Sequence, residues 1–272
     1  MDKIVALITG ASSGIGREAA LELSGYNFTV YAAARRVELM QDLLGQGIHP
    51  IALDVTDEDS MIQCVNEIME EQGRIDILVN CAGYGSFGSI EDVPLEEARR
   101  QFDVNLFGVA RLIQLVLPSM RKNEYGKIVN ISSMGGKIWT PFGGWYHATK
   151  FALEGFSDCL RLELEPLGID VIVIEPGGIK TNWGIIAANN LRKVSASGAY
   201  AEPADKASNA MVKLYTGDFL SDPKVISKAI GKAVTANHPK TRYLVGFMAK
   251  PMVYLKSFFG DRVYDRLVKM FS

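Results

Sequence analysis

The chain has 272 residues, nearly half of them apolar, and its 29 basic and 31 acidic residues give a formal net charge of −2. This balance gives no electrostatic reason to expect a nucleic acid partner, and three separated cysteines and three scattered histidines predict neither disulfides nor a metal site. The first apolar run stops at Gly10, too early for a signal peptide, and no stretch approaches the ~18 apolar residues of a membrane span, so we expect a cytoplasmic protein.

Short β-branched runs alternate with longer amphipathic stretches along the chain. The runs predict strands at residues 4–8, 28–33, 51–53, 75–80, 127–131, 170–174 and 241–246, and the stretches predict helices at residues 15–23, 38–44, 60–71, 95–120 and 146–164. This alternation predicts a Rossmann-type, doubly wound parallel α/β sheet of about seven strands with helices on both faces, in a single domain over residues 1–272. Such sheets bind ligands beyond the carboxyl ends of their strands.

The first predicted strand runs into TGASSGIG at residues 9–16. Gly10, Gly14 and Gly16 would let the backbone turn tightly and approach a ligand closely, and the helix that follows offers free N–H groups to a phosphate. Ser12 and Ser13 lie in the same turn. The spacing is GxxxGxG, which differs from the common dinucleotide fingerprint, but its place between a strand and a helix favours nucleotide binding over a simple packing turn.

The second predicted strand ends in YAAARR, with Arg35 and Arg36 and no acidic residue before Glu38. A carboxylate at this position bonds the ribose diol of NAD(H), whereas an arginine accommodates the 2′-phosphate of NADP(H). The sequence therefore favours NADP(H), although two solvated loop arginines would give the same pattern.

Small or polar residues follow the later strands at the same edge of the predicted sheet: Asp54, the NCAG turn at residues 80–83, Ser132 and Ser133, and PGGIKT at residues 176–181. Tyr146 and Lys150 stand four residues apart near the start of a helix, so they share one helical face. Alone, this pair would indicate little, because tyrosine and lysine often share a solvated face.

Together these motifs resemble the short-chain dehydrogenase/reductase family over nearly the whole chain: TGxxxGIG, NxAG, Asn105 within DVNLFG, Ser133, YxxxK and PGxxxT. One departure is Cys81, where the family commonly has a second asparagine. The stretch from YHATK to PGGIKT is similar to 17β-hydroxysteroid dehydrogenases, retinol dehydrogenases and acyl-dihydroxyacetone-phosphate reductases, which implies a bulky apolar substrate.

The resemblance implies that hydride passes between NADP(H) and a ketone or secondary alcohol. Tyr146 would exchange the proton, Ser133 would bond the carbonyl oxygen, Lys150 would hold the nicotinamide ribose, and Asn105 would anchor a water. Because an ammonium and an oxidised nicotinamide favour the phenolate, we expect a lowered pKa for Tyr146. The implied cofactor site comprises Gly10, Ser12, Ser13, Gly14, Ile15, Gly16, Arg35, Arg36, Asp54, Val55, Asn80, Ala82, Gly83, Tyr146, Lys150, Pro176, Gly177, Ile179 and Thr181.

Two segments remain outside these motifs. Residues 182–222 are rich in small residues, and we expect an irregular insertion that covers the substrate, with an apolar lining drawn from Trp183, Ile185, Ile186, Met211 and Leu214. Residues 248–272 carry an apolar stripe at helical spacing, formed by Met252, Leu255, Phe259, Val263, Leu267 and Met270. The stripe predicts packing on the core or on another subunit. Contact with a membrane surface is the less favoured alternative.

Three other functions remain open. A non-catalytic NADP(H)-binding redox sensor would not need the set of Ser133, Tyr146, Lys150 and Asn105. An epimerase or dehydratase of nucleotide sugars is disfavoured by the GxxxGxG spacing and the modest length. The substrate could also be a small or acyl-carrier-linked ketone. The resemblance further implies a homodimer or homotetramer built on the two long helices.

Overall fold

The computed structural model describes residues 3–271 and contains a parallel sheet of seven strands in the order β3-β2-β1-β4-β5-β6-β7. The strands are β1 (Val5–Thr9), β2 (Thr29–Ala34), β3 (Ile48–Ala52), β4 (Ile77–Asn80), β5 (Gly126–Ile131), β6 (Ile169–Pro176) and β7 (Arg242–Val245). Every neighbouring pair is parallel. The predicted doubly wound sheet is therefore confirmed.

Helices cover both faces of the sheet: α1 (Gly14–Ser24), α2 (Glu58–Gln72), α3 (Leu95–Phe102), α4 (Gly108–Lys122), α5 (Gly144–Leu164), α6 (Trp183–Ser195), α7 (Ala201–Thr216), α8 (Lys224–Thr235) and α9 (Ala249–Phe271). Successive strand residues point to opposite faces, so Leu7 packs in the core beneath α2, α4 and α5, and Ile8 packs in the core beneath α1 and α8. Two cores thus hold the strand ends in fixed register.

The long helix predicted at residues 95–120 is interrupted by a π-helical turn at Asp103–Phe107, where the Gly108 N–H donates to the Asp103 carbonyl. By length and composition, Leu95–Lys122 could cross a membrane, contrary to the expectation from the sequence. Core helices of soluble proteins pass the same test, and the inner face of α4 packs on the sheet through Leu112 and Val116.

Three local predictions differ from the structure. The helix predicted at 38–44 is a 3-10 segment over Val37–Gln46, and the third strand begins three residues earlier than expected because Ile48 pairs with β2 ahead of the Pro50 interruption. The prediction of irregular chain at 182–222 is wrong, since α6 and α7 lie there. Their small residues allow close packing: a Cβ on Gly184 would lie 2.3 Å from the Tyr215 ring.

The C-terminal helix α9 is broken at Gly260, whose φ of 72° is left-handed. The stripe predicted for this segment divides between two environments, and each includes residues from both sides of the break. Met252, Leu255 and Leu267 line the main cavity, while Phe259, Val263 and Met270 are exposed. Half of the stripe therefore packs inward, as expected, and the other half faces solvent in the single chain.

Candidate active site

A cavity of about 1580 Å³ opens beyond the carboxyl ends of all seven strands of the sheet. Each of these strands is followed by a short turn that contributes to the wall. All of the predicted catalytic and cofactor-binding residues except Asn80 and Asn105 line this cavity. The sheet thus brings motifs from the whole length of the chain to a single place, as a parallel sheet requires.

The glycine turn after β1 packs against the turn after β4. Gly10 has φ +67°, and a Cβ there would lie 2.9 Å from the Ala82 backbone, so this position accepts only glycine without strain. The Thr9 hydroxyl accepts hydrogen bonds from the N–H groups of Cys81 and Ala82 at 3.0 and 2.9 Å. The same turn leads into α1, where no side chain caps the first N–H groups. These N–H groups are suited to bind a phosphate.

Arg35 and Arg36 are exposed and line the same cavity. Nearby, the Asp54 carboxylate accepts from the N–H and hydroxyl of Thr56 at 2.9 and 2.7 Å. Burial alone would raise the pKa of Asp54, but these bonds and the charges of Arg35 and Arg100 lower it. This end of the cavity therefore offers two guanidinium groups beside an ionised carboxylate.

Ser133, Tyr146 and Lys150 meet in the middle of the cavity. Ser133 caps a short 3-10 turn, accepting from the Gly135 N–H at 3.0 Å, and its hydroxyl also hydrogen-bonds Tyr146. Lys150 lies one turn further along α5 and donates from Nζ to the Ile131 carbonyl at 2.7 Å. The phenol and the ammonium are both buried. The pair in YxxxK is therefore not a solvated helical face.

The pKa values of this pair move in directions that favour neutral side chains. Burial raises the pKa of Tyr146 to about 12, although the bond from Ser133 opposes the shift. Burial lowers the pKa of Lys150 to about 8. The expected lowering of the Tyr146 pKa beside an oxidised nicotinamide stays a prediction. In the chain alone the pKa is raised, because the loss of water around the phenolate outweighs the bond from Ser133.

The two asparagines predicted for the site lie behind the cavity wall. Asn80 donates to the Asn130 side chain at 2.9 Å and ties β4 to β5. Asn105 lies in the π-helical turn, accepts from the Tyr84 N–H at 3.1 Å, and donates to the Tyr84 carbonyl and the Thr149 hydroxyl. Direct contact of Asn80 with a ligand in the cavity is not supported, because Asn80 does not line the cavity, although its buried Oδ1 has no hydrogen-bond partner among the described residues.

The other end of the cavity is apolar. The Tyr146 ring packs against Trp183 and Phe87, with ring centroids 5.0 and 5.9 Å apart. Ile186, Met211 and Leu214 from α6 and α7 line this end as predicted, whereas Ile185 does not. Further apolar wall residues were not expected from the sequence: Phe87, Tyr215, Phe247 and Pro251.

His147 is a neighbour of the site that sequence reasoning missed. Its Nε2 accepts from the Thr140 N–H at 3.0 Å, so Nδ1 carries the proton and donates to the Gly135 carbonyl at 2.9 Å. Burial lowers the pKa of His147, which keeps the ring neutral. The ring thereby fixes both ends of the turn that carries Ser133. Its place beside Tyr146 in the sequence was the only available signal.

A family model described as short chain dehydrogenase matches residues 4–189, which is more than half of the chain. The chain belongs to the short-chain dehydrogenase family. The predicted family is thus confirmed, and with it an oxidoreductase assignment.

Two relatives match this short-chain dehydrogenase along its length. The probable short-chain type dehydrogenase/reductase VdlC of Helicobacter pylori is 37% identical over 269 residues, covering 98% of this chain and 97% of that protein. The 3-ketodihydrosphingosine reductase of Bacteroides thetaiotaomicron is 35% identical over 273 residues, covering 100% and 98%. A crystal structure of a short-chain dehydrogenase from Streptomyces avermitilis superimposes with a TM-score of 0.82 at 33% identity, covering 99% of this chain and 96% of that one.

Proposed function

We propose that this short-chain dehydrogenase is an NADP(H)-dependent oxidoreductase that interconverts a bulky apolar ketone and its secondary alcohol. The observation that carries the proposal is the position of the buried Tyr146 phenol. It hydrogen-bonds Ser133, lies one turn from Lys150, and forms the boundary between the turns that suit a dinucleotide and an apolar chamber. A redox sensor would need only the turns that suit a dinucleotide, and neither the buried phenol with Ser133 and Lys150 nor the apolar chamber.

The residues present fit a dinucleotide. The uncapped start of α1 would bind the pyrophosphate, Arg35 would bind the 2′-phosphate with Arg36 beside it, and the turns after β4 and β6 would flank the nicotinamide half. When bound, the nicotinamide supplies or accepts the hydride. The wall that would hold the cofactor comprises Gly10, Ser12, Ser13, Gly14, Ile15, Gly16, Asp54, Val55, Ala82, Gly83, Pro176, Gly177, Ile179 and Thr181.

Tyr146 would give its proton to the carbonyl oxygen during reduction, while Ser133 donates a hydrogen bond to the same oxygen and positions it. The raised pKa keeps this proton on Tyr146 at neutral pH, so that it is available when hydride transfer makes the carbonyl oxygen basic. Lys150 would replace the proton. A Cβ on Gly83 would lie 3.1 Å from Asn105 Oδ1 and 3.9 Å from Lys150 Nζ, so the missing side chain leaves room for a water that joins them.

The substrate class follows from the chamber beside Tyr146. The rings of Trp183 on α6 and Phe87 in the loop after β4 pack against the phenol, and methionine and leucine side chains from α7 and α9 extend the apolar wall beyond them. An apolar wall of this kind binds steroid, retinoid or long acyl chains better than small polar ketones. The relative named 3-ketodihydrosphingosine reductase makes that ketone a specific candidate.

We propose a homodimer or homotetramer in the cytoplasm, with the long helices forming the contact. Leu95, Phe107, Phe151 and Leu162 lie on these helices, and each is more than 40% exposed in the single chain. Exposed apolar side chains of this size on paired helices suit an interface between copies. Contact of α9 with a membrane surface remains the less favoured prediction.

The variant Tyr146→Phe tests the proposed chemistry. It should bind NADPH as the wild type does, measured by the change in cofactor fluorescence, and should lose at least about 100-fold in kcat because the proton donor is gone. Tyr254→Phe, which alters an exposed tyrosine on α9, is the matched control. A Tyr146→Phe enzyme with wild-type turnover would refute the mechanism.

A further inference from the structure

Directly behind the catalytic residues lie two glutamates that the proposed mechanism does not use. Glu154 is one turn after Lys150 on α5, and Glu175 directly precedes Pro176, the last residue of β6, which lines the cavity. They are 4% and 3% exposed. Both carboxyl groups contact the same two cations, Lys137 and Arg242, and Glu154 Oε1 and Glu175 Oε1 are buried without a hydrogen-bond partner in the part of the chain that the structure describes. Two buried carboxylates that share the same cations repel each other when both are charged, and a proton on one removes that repulsion and can donate a hydrogen bond to the other.

The cations around the pair are distributed unequally. Lys137 Nζ lies 2.9 Å from Glu154 Oε2 but 3.8 Å from Glu175 Oε1, and Arg242 Nε lies 3.0 Å from Glu154 Oε2 but 3.4 Å from Glu175 Oε1. Arg242 is also shared, since it bonds Asp158 at 2.7 Å. Both cations therefore lie nearer Glu154, which identifies Glu154 as the anion and Glu175 as the site of the proton.

The pair lies against the turn that carries Ser133. A Cβ on Gly136 would lie 2.9 Å from Glu154 Cγ, 2.9 Å from Ser132 Oγ and 3.1 Å from the Lys150 carbonyl, so the turn, α5 and the carboxyl pair are in direct contact. Lys137 follows in the same turn and bonds Glu154. The negative charge of Glu154 also acts on Lys150.

We propose that Glu154 and Glu175 share one proton at neutral pH and together act as positioning residues that hold the Ser133 turn, α5 and the Pro176 turn in catalytic register. Loss of the proton would leave two like charges in contact between α5 and β6 and loosen that register. The claim that the pair positions catalytic residues rests on the proposed function, whereas the claim that the pair shares a proton does not.

The expected pH range is near neutrality. Burial, followed by the charge of Glu154, raises the pKa of Glu175 from 4.5 to about 7. Between pH 4.5 and about 7, the folded chain therefore keeps a proton on Glu175 that the unfolded chain has lost. Stability from this proton is present below pH 4.5 and is lost as pH rises through about 7.

Thermal unfolding between pH 5.5 and 8.5 tests the shared proton in wild type, Glu175→Gln and Glu163→Gln. Glutamine mimics the protonated acid at every pH, so the Tm of Glu175→Gln relative to wild type should rise by about 2–4 °C between pH 5.5 and pH 8.5. Glu163 is an exposed acid on the same helix, so its variant should follow the wild-type profile. A Glu175→Gln offset that is independent of pH would overturn the proposal.

Two further measurements complete the test. If Glu175→Gln does not fold, ¹³C NMR of wild type labelled at the glutamate carboxyl carbons should show one group titrating between pH 6 and 8, and finding none would overturn the shared proton. The ratio of kcat for Glu175→Gln to that of wild type should rise about tenfold from pH 6 to 8.5. A constant ratio would overturn the positioning role, and the absence of any ketone turnover would fault only the proposed function.

Discussion

At the scale of single residues, the pKa values of Tyr146 and Lys150 are reversed in order, so that the ammonium loses its proton at a lower pH than the phenol. Burial holds the proton on the phenol and loosens the proton on the ammonium. For reduction this order is useful, because Tyr146 stays loaded while Lys150 can exchange a proton near neutral pH. The YxxxK spacing located both groups, but it carries no information on how completely the fold excludes water from them.

The charge of Lys150 leads to a pH prediction. Because its pKa is lowered to about 8, the ammonium is present below that pH and is lost as pH rises through it. We expect the reduction rate to fall above pH 8, measured as initial NADPH oxidation from pH 6 to 9.5. In Lys150→Arg, whose guanidinium stays charged, the residual rate should not fall over this range. A wild-type rate that is level to pH 9.5 would contradict this role.

Arg35 determines the predicted cofactor preference. Replacing it in Arg35→Asp puts a carboxylate where the 2′-phosphate would lie, so kcat/KM for NADPH should fall at least about tenfold while that for NADH rises. Arg121→Asp, which makes the same charge change at the exposed end of α4, is the control. Initial rates with both cofactors measure the preference, and an unchanged ratio in Arg35→Asp would remove Arg35 from the site.

At the scale of elements, α9 is fastened to the chain that follows the Ser133 turn. The Tyr264 hydroxyl donates to the Trp139 carbonyl at 2.9 Å, and the Trp139 indole donates to Asp265 at 2.9 Å. Lys256 lies over the Trp139 ring, with Nζ 5.2 Å from its centroid. The C-terminal helix therefore supports the catalytic turn as well as the apolar wall.

Tyr264 is fully buried, so Tyr264→Ala should lower the free energy of unfolding by about 3 kcal/mol through the cavity it leaves. Tyr254→Ala removes the same group from an exposed position of α9 and should change stability little. Urea unfolding of the two variants measures the difference. Equal stability would show that α9 is not held as described.

The elements also show where sequence reasoning reaches its limit. Buried parallel strands are continuous apolar runs, so most strands were predicted within a few residues. The helices α6 and α7 were missed because their alanines and glycine mark close packing between two helices, which resembles a loop composition when read along one chain. The π-helical turn at Asn105 and the break at Gly260 depend on backbone geometry that periodicity does not encode.

At the scale of the whole molecule, the site is one cavity formed by the turns that follow all seven strands and covered by α6, α7 and α9. Its two ends differ in chemistry, with guanidinium groups at one and aromatic and aliphatic side chains at the other. The motifs predicted the first end well, because each is a local signal. The second end comes from residues without motifs, whose proximity arises only on folding.

The most direct test of the account is the initial rate of NADPH and NADH oxidation against a panel of carbonyl compounds: steroid ketones, retinal, 3-ketodihydrosphingosine, and small ketones and aldehydes. We predict turnover of a bulky apolar carbonyl with NADPH, and weaker turnover with NADH. NADPH binding without reduction of any carbonyl in the panel, or reduction confined to small polar ketones, would contradict it.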